Sequence, residues 1–266
     1  MEYLILNNGL KLPMVGFGTW DVRGEKGKRC ILDALELGYR LIDTAQMYDN
    51  EEIVGKAVRE SGLPRQDIFL TTKLYRPSAG YQKAKAGIEK SLNELQTDYI
   101  DLLLIHEPYE TALEMYEAFK EAYQRGQVRA IGISNFDAHK YQRFIRSCGV
   151  VPAVNQVESH VYYPQLSLKK LLDTHGTKMQ SWASFTEGRK NIFSEPLLNR
   201  IGEKYGKSAA QVALRYLVQN GIAVIPKSVH RERMAQNLDI FDFSLDSEDM
   251  VSIGQLNQNQ SLFGWY

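Results

Sequence analysis

Along the chain, short β-rich apolar runs alternate with segments whose apolar positions recur every three to four residues. "LILNNGLKLP" comes first, with Asn8-Gly9 between two alternating stretches, and predicts a hairpin with a two-residue turn. The rhythm then settles into strand and helix. "MVGFGTW" precedes a helix near 26–38, "YRLIDTA" one at 50–61, "IFLTTKL" one at 82–95 and "YIDLLLIH" one at 111–125. "VRAIGISN" is followed by 137–147, "AVNQVE" by 164–175, "KMQSWAS" by 195–205 and 208–220, and "AVIPKS" by 231–238. Eight strand–helix units with no low-complexity stretch or linker predict a (β/α)8 TIM barrel, one domain over 1–266, with an N-terminal β-hairpin added to it.

A doubly wound sheet is the competing fold, because "VGFGTW" begins like a dinucleotide fingerprint. The third glycine of that motif is replaced by Asp21, and no acidic residue follows at the required interval. Gly16 and Gly18 are read instead as strand glycines that admit a close backbone or ligand.

Composition narrows the function. Hydrophobic residues make up 44% and charged residues 24%, which is globular, and Lys plus Arg balances Asp plus Glu at 32 each. No basic field exists to attract nucleic acid or an anionic membrane, so any bound anion must be held locally. The longest apolar run, "LLLI" at 102–105, is far too short to span a bilayer, and "MEYLILNNGL" has no signal-peptide pattern. Cys30 and Cys148 lie far apart, without metal-ligand spacing. A soluble cytoplasmic protein with no metal site and no disulfide is expected.

Candidate chemistry gathers at the predicted strand ends, the face where barrels of this kind place their sites. Those ends carry Thr19 and Trp20, Asp43, Lys73, His106, Ser134 and Asn135, Gln156 and Glu158, Trp182, and Lys227 and Ser228. Singly, each has an ordinary explanation: Asp43 as a cap, Lys73 as a solvated lysine, His106 as a structural histidine, Trp20 and Trp182 as core. Three ionisable residues on three consecutive strands, with Tyr48 just past the second, indicate one site. Carbonyl reduction suits it. A Lys73 ammonium beside Tyr48 is expected to lower the phenol pKa and make a general acid, and Asp43 serves as the counter-ion. His106, donating from one ring nitrogen, would hold the substrate oxygen.

With these residues in place, the chain resembles the aldo-keto reductase family, in its bacterial type and the branch of diketogluconate reductases and prostaglandin F synthase-like enzymes. The stretches "LNNGLKLPMVGFGTW", "LIDTAQMYDNE", "FLTTKL", "DLLLIH", "RAIGISNF", "NQVESH" and "IPKSVHRERMAQNL" carry the likeness in order and spacing. The resemblance implies a barrel that binds NADPH without a Rossmann domain, cofactor entering first and leaving last. Asp43, Tyr48, Lys73 and His106 would form the catalytic tetrad, with Tyr48 as acid. Ser134, Asn135 and Gln156 would orient the nicotinamide carboxamide, and Trp182 would stack on its ring. Gly18 and Thr19 would approach the cofactor from the first strand, and Ala183, Ser184 and Phe185 from the loop after the seventh. Lys227, Ser228, Val229, His230 and Arg233 would surround the 2′-phosphate, a helix start with cations near it. Gln236 and Asn237 would sit at the adenine end, and Trp20 would form a substrate wall.

Several positions depart from the family pattern. His230 replaces a frequent Thr or Arg, which leaves NADH use open. Gln236 replaces a frequent Glu, and Ser184 stands where Pro is frequent, loosening the loop over the pyrophosphate. "HEP" replaces "HWP", so Glu107 disfavours anionic substrates if it faces the pocket. The chain ends at "LFGWY", with Phe263, Trp265 and Tyr266 as a short lid. The expected activity is reduction of aldehydes, small ketones or keto sugars by a monomer. Two other readings stay open: a cofactor-sensing regulatory barrel with little turnover, and a Schiff base on Lys73.

Overall fold

The computed structural model describes residues 2–264; Trp265 and Tyr266, expected to contribute to a lid, lie outside them. A hairpin, β1 (Tyr3–Ile5) and β2 (Lys11–Pro13), precedes eight parallel strands. These are β3 (Phe17–Gly18), β4 (Leu41–Asp43), β5 (Phe69–Leu74), β6 (Leu102–Ile105), β7 (Ile131–Ser134), β8 (Val154–Glu158), β9 (Lys178–Trp182) and β10 (Ala223–Val224). They neighbour one another in chain order from β3 to β10. A parallel bridge between Val15 and Val224, with Gly16 N–H donating to the Val224 carbonyl at 2.8 Å, brings last strand to first and closes the (β/α)8 barrel.

The connecting helices are α1 (Gly24–Leu37), α2 (Glu51–Glu60), α3 (Tyr81–Leu95), α4 (Ala112–Gln124), α5 (Ala138–Ile145), α6 (Leu166–Thr174), α7 (Pro196–Tyr205), α8 (Ala209–Gln219) and α9 (Arg231–Leu238). Each falls within two residues of its sequence expectation. A further helix, α10 (Ser247–Gly254), was not anticipated. Its signal was present: Asp246 and Asp249 form a reciprocal capping box, three residues apart.

Two apolar clusters hold the barrel. The larger lies between strands and helices and includes Phe17, Ile42, Ile105, Phe119 and Leu214. The second lies inside the barrel near its N-terminal end, where Leu41, Phe69, Leu102, Leu104 and Val154 meet Leu6 and Leu12 of the hairpin. The hairpin is therefore a floor plate. Its turn differs from expectation: Ile5 pairs with Lys11, and Leu6 N–H donates to the Leu10 carbonyl. Three residues, Asn7 to Gly9, make the connection, with Gly9 at φ 85° supplying the left-handed step that a three-residue loop requires. Asn7 and Asn8 are spent elsewhere, donating to the carbonyls of Val151 and Arg129.

Candidate active site

The strands end on a cavity of about 560 Å³ at their C-terminal face. Asp43 is the last residue of β4 and Lys73 the fifth of β5, both inside the barrel wall and at most 1% exposed. Lys73 Nζ lies 2.5 Å from Asp43 Oδ1, donates to the Thr44 carbonyl at 2.9 Å and reaches the Tyr48 hydroxyl at 3.3 Å. Three donors meet three acceptors, the full complement of an ammonium. This geometry disfavours a Schiff base, which needs a free amine lone pair. The other carboxylate oxygen of Asp43 accepts from Gln156 Nε2 at 2.7 Å.

Tyr48 sits in a short 3-10 turn, Gln46–Tyr48, directly after β4. Asn50 fixes this turn: its amide donates to the carbonyls of Thr19 and Val22, and its oxygen accepts from Thr44. The Tyr48 ring meets Trp20 edge to face at 5.0 Å and His106 at 5.8 Å. His106, just beyond β6, is 8% exposed and lines the cavity, and its Nδ1 is buried without a hydrogen-bond partner. Nε2 is then the nitrogen left to serve the cavity.

Electrostatics corrects one expectation. Burial pushes the Tyr48 phenol above its ordinary pKa, outweighing the Lys73 ammonium that pulls it down; Asp43 adds to the rise. The neighbour effect has the anticipated sign but is the smaller one. Burial also favours a neutral Lys73, yet the Asp43 carboxylate and Tyr48 hydroxyl hold its pKa above the ordinary value. Asp43 is raised by burial against the pull of Lys73 and Gln156. Burial, helped by the Lys73 charge, pulls His106 down to about 3, so its imidazole is neutral at pH 7.

The remaining expected residues divide into two groups. Gly18, Thr19, Trp20, Glu107, Ser134, Asn135, Gln156, Trp182, Ala183, Ser184, Phe185 and Lys227 line the cavity with the tetrad residues that reach it. A Cβ at Gly18 would meet the Ile225 carbonyl oxygen at 2.6 Å, so any side chain there would force β3 and the chain after β10 apart. Several polar groups are already engaged. Ser134 donates to the Gln156 carbonyl, Gln156 also donates to Gln180, and Asn135 donates to the His106 carbonyl while accepting from Trp182 Nε1 at 2.7 Å. The loop after β9 uses left-handed backbone at Ala183, Thr186 and Glu187.

Ser228, Val229, His230, Arg233, Gln236 and Asn237 fall outside the cavity lining, on the segment leading into α9 and on α9 itself. His230 N-caps α9 without a side-chain hydrogen bond. Lys227 and Arg233 make no ion pair among the described residues, whereas Arg231 is tied to Asp33 and Glu36 of α1. Sequence reasoning missed Asp21, Met47, Glu187, Ile225 and Pro226 as lining residues. Met47 was adjacent to Tyr48 and could have been found; Glu187 lies five residues past its strand, where spacing carries no information.

The family model described as the Aldo/keto reductase family matches residues 14–258. An aldo-keto reductase of Mycolicibacterium smegmatis is 40% identical over 97% of this chain and 94% of its own length. The chain belongs to the aldo/keto reductase family. A glyoxal reductase of Bacillus subtilis is 39% identical over 96% of this chain and 92% of its own. Among solved structures, an aldo-keto reductase from a Medee basin deep-sea metagenome library superposes with a TM-score of 0.95 at 39% identity, covering 98% of this chain and 97% of that one. Membership of this reductase family makes the protein an oxidoreductase that acts on small carbonyl compounds with a nicotinamide cofactor. Among the described residues, no helix is long and apolar enough to cross a membrane.

Proposed function

We propose that the protein is a monomeric, cytoplasmic reductase that uses NADPH to convert aldehydes, small ketones or keto sugars to alcohols, with Tyr48 as general acid. The observation that carries this reading is the buried Lys73 ammonium 3.3 Å from the Tyr48 hydroxyl, with Tyr48 and a neutral His106, which makes no side-chain hydrogen bond among the described residues, both lining the cavity. When bound, the cofactor supplies hydride to the carbonyl carbon. Burial keeps the proton on Tyr48 in the resting enzyme. As charge builds on the substrate oxygen, Tyr48 gives up that proton, and Lys73 stabilises the phenolate left behind. Neutral His106 donates from Nε2 to the same oxygen and fixes its position. Asp43 keeps Lys73 protonated and is held in place by Gln156.

The residues present fit a nicotinamide dinucleotide. Gly18 lets the chain after β10 pass close to β3 at the cavity, Trp182 and Phe185 offer aromatic surface, and Asn135, hydrogen-bonded to the Trp182 indole, lines the cavity with Ser134. The uncapped start of α9, with Lys227 and Arg233 free of ion pairs among the described residues, suits the additional phosphate of NADPH. The names of relatives, glyoxal reductase in Bacillus subtilis and methylglyoxal reductase in Escherichia coli, support small reactive carbonyls as substrates. No observation favours a regulatory barrel without turnover.

The test is NADPH consumption with a panel of aldehydes, ketones and keto sugars, repeated with Tyr48→Phe. Turnover by the wild type that collapses in the variant supports the reading; equal turnover in both refutes Tyr48 as the acid.

A further inference from the structure

In the register of β8 with β9, Gln156 stands beside Gln180, and two residues further toward the mouth Glu158 stands beside Trp182. Alternation along β9 turns Gln180 to the same side as Trp182, which lines the cavity. Gln180 itself is fully buried and does not reach the cavity; it lies one step deeper in the barrel. There it ends a polar chain that runs inward from the Tyr48 hydroxyl through the Lys73 ammonium, the Asp43 carboxylate and the Gln156 amide.

The inner end of that chain is fixed atom by atom. Gln156 Nε2 donates one hydrogen to Asp43 Oδ2 at 2.7 Å and the other to Gln180 Oε1 at 2.8 Å. Asp43 decides which end of the Gln156 amide points inward, because an ionised carboxylate accepts and cannot donate. That contact alone would let the amide pivot about it. Gln180 supplies the second contact, and with both hydrogens held the amide plane is set. Gln156 Oε1 is then the one polar atom of the side chain left over. It accepts no hydrogen bond among the described residues and, unlike Gln180 Nε2, it is not sealed inside the protein, on a residue that lines the cavity. The group that completes it must be a donor.

Gln180 has no other polar task. Its Nε2 is buried without a hydrogen-bond partner among the described residues, an arrangement that opposes folding. Only its oxygen is used, and Gln156 uses it.

We propose that Gln180 is a positioning residue for the cofactor: by locking the Gln156 amide it keeps Gln156 Oε1 at the cavity as an acceptor for the amino group of the nicotinamide carboxamide. The proposal rests on the nicotinamide-dependent reductase reading above and adds to it a residue that touches neither substrate nor cofactor.

The test compares NADP+ with its 3-acetylpyridine analogue, in which a methyl group replaces the carboxamide amino group and no N–H can be donated. Dissociation constants are measured by calorimetry for the wild type, for Gln180→Met, which keeps the volume and removes the acceptor, and for Gln180→Glu, which keeps an acceptor oxygen. The readout is the preference for NADP+ over the analogue, in which any general change in nucleotide affinity cancels. The wild type is expected to prefer NADP+. Gln180→Met should lose roughly three- to tenfold of that preference, the span of one hydrogen bond, and Gln180→Glu should stay within about twofold of wild type. Thermal unfolding without nucleotide is the second readout: Gln180→Met exchanges one orphaned buried donor for another, so its melting temperature should stay close to that of the wild type. An unchanged preference in Gln180→Met overturns the proposal, as does a preference lost equally in Gln180→Glu, or a wild type that binds NADP+ and does not distinguish the analogue. A Gln180→Met protein too unstable to bind either nucleotide overturns it as well, since Gln180 would then serve the fold alone. A folded wild type that binds neither nucleotide would overturn the cofactor reading itself, a result distinct from all of these.

Discussion

The two ends of the barrel are built from the same eight strands and differ in almost every physical respect. At the floor, Leu6 and Leu12 of the hairpin close over Leu41, Phe69, Leu102 and Leu104. At the mouth lie a buried ion pair, a histidine whose Nδ1 has no hydrogen-bond partner among the described residues, and the lining carboxylates Asp21, Glu107 and Glu187. The turns differ too. Each turn that leads from helix to strand at the floor contains one left-handed residue: Gly38, Gly62, Gly126, Gly149, Gly176 and Gly221, with Gln96 the exception. At the mouth, glycine takes the positive-φ positions 24, 80 and 188, but Asp21, Asp49, Asn135, Gln165, Ala183, Thr186 and Glu187 adopt a positive φ as well. A side chain in that conformation costs about 1 kcal/mol or more where glycine costs nothing. Non-glycine residues in this conformation are concentrated at the mouth, where Asn135 and Ala183 line the cavity, whereas the floor has one, Gln96.

The comparison breaks most sharply at Tyr48. Tyr48→Phe should lower kcat/KM by roughly 10²- to 10⁴-fold with the melting temperature nearly unchanged, as read by NADPH absorbance and thermal unfolding. The converse at the floor is Leu12→Ala. It should destabilise the fold by about 2–5 kcal/mol in denaturant titration while leaving the KM of the folded enzyme alone. Lys227→Ala should raise KM for NADPH about tenfold or more and that for NADH far less, from loss of charge-assisted hydrogen bonds worth about 1.5–3 kcal/mol. Equal effects on both cofactors would remove Lys227 from the phosphate.

Glu51 extends the comparison behind the mouth. It is 1% exposed, accepts from Thr72 and Ser91, and is paired with no cation among the described residues; burial raises its pKa from 4.5 to about 7, with the Glu94 charge adding to the rise. Between pH 4.5 and 7 the folded chain holds this proton and the unfolded chain does not, so the contribution of Glu51 to stability falls as pH rises through that window. Glu51→Gln, neutral throughout, should gain stability relative to wild type by roughly 1–3 kcal/mol between about pH 5 and pH 8. A constant difference across that range would refute the assignment. The smallest effect should come from exchanging turn types: Gly176→Ala is expected to destabilise by about 1 kcal/mol and Ala183→Gly to stabilise by a similar amount, both measured by chemical denaturation.

Much of this was legible in the sequence because strands and helices announce themselves by period, and strand ends by where the apolar run stops. Asp43, Lys73 and His106 could be placed at one face for that reason alone. Tyr48 needed only the short distance from β4. The loops were less readable. Glu187 reaches the cavity through three left-handed residues whose conformation no pattern foretells, and Asp21 does so through one. The hairpin turn took three residues because Asn7 and Asn8 had partners across the floor, a long-range preference that outweighed the local Asn-Gly signal. Helix α10 was overlooked although its capping residues stood in the chain.

By itself the sequence determined the eight-fold alternation, the membership of the reductase family and the identity of the chemical groups at the strand exits, since these depend on local periodicity and on residue type. Tertiary structure alone decided the balance of forces on those groups. Whether Lys73 or burial governs the Tyr48 proton depends on how much water the assembled barrel excludes, and whether Glu107 and Glu187 face the cavity depends on loops folded against distant segments. Solvation and charge–charge distance are properties of the closed barrel, and no stretch of the chain carries them alone.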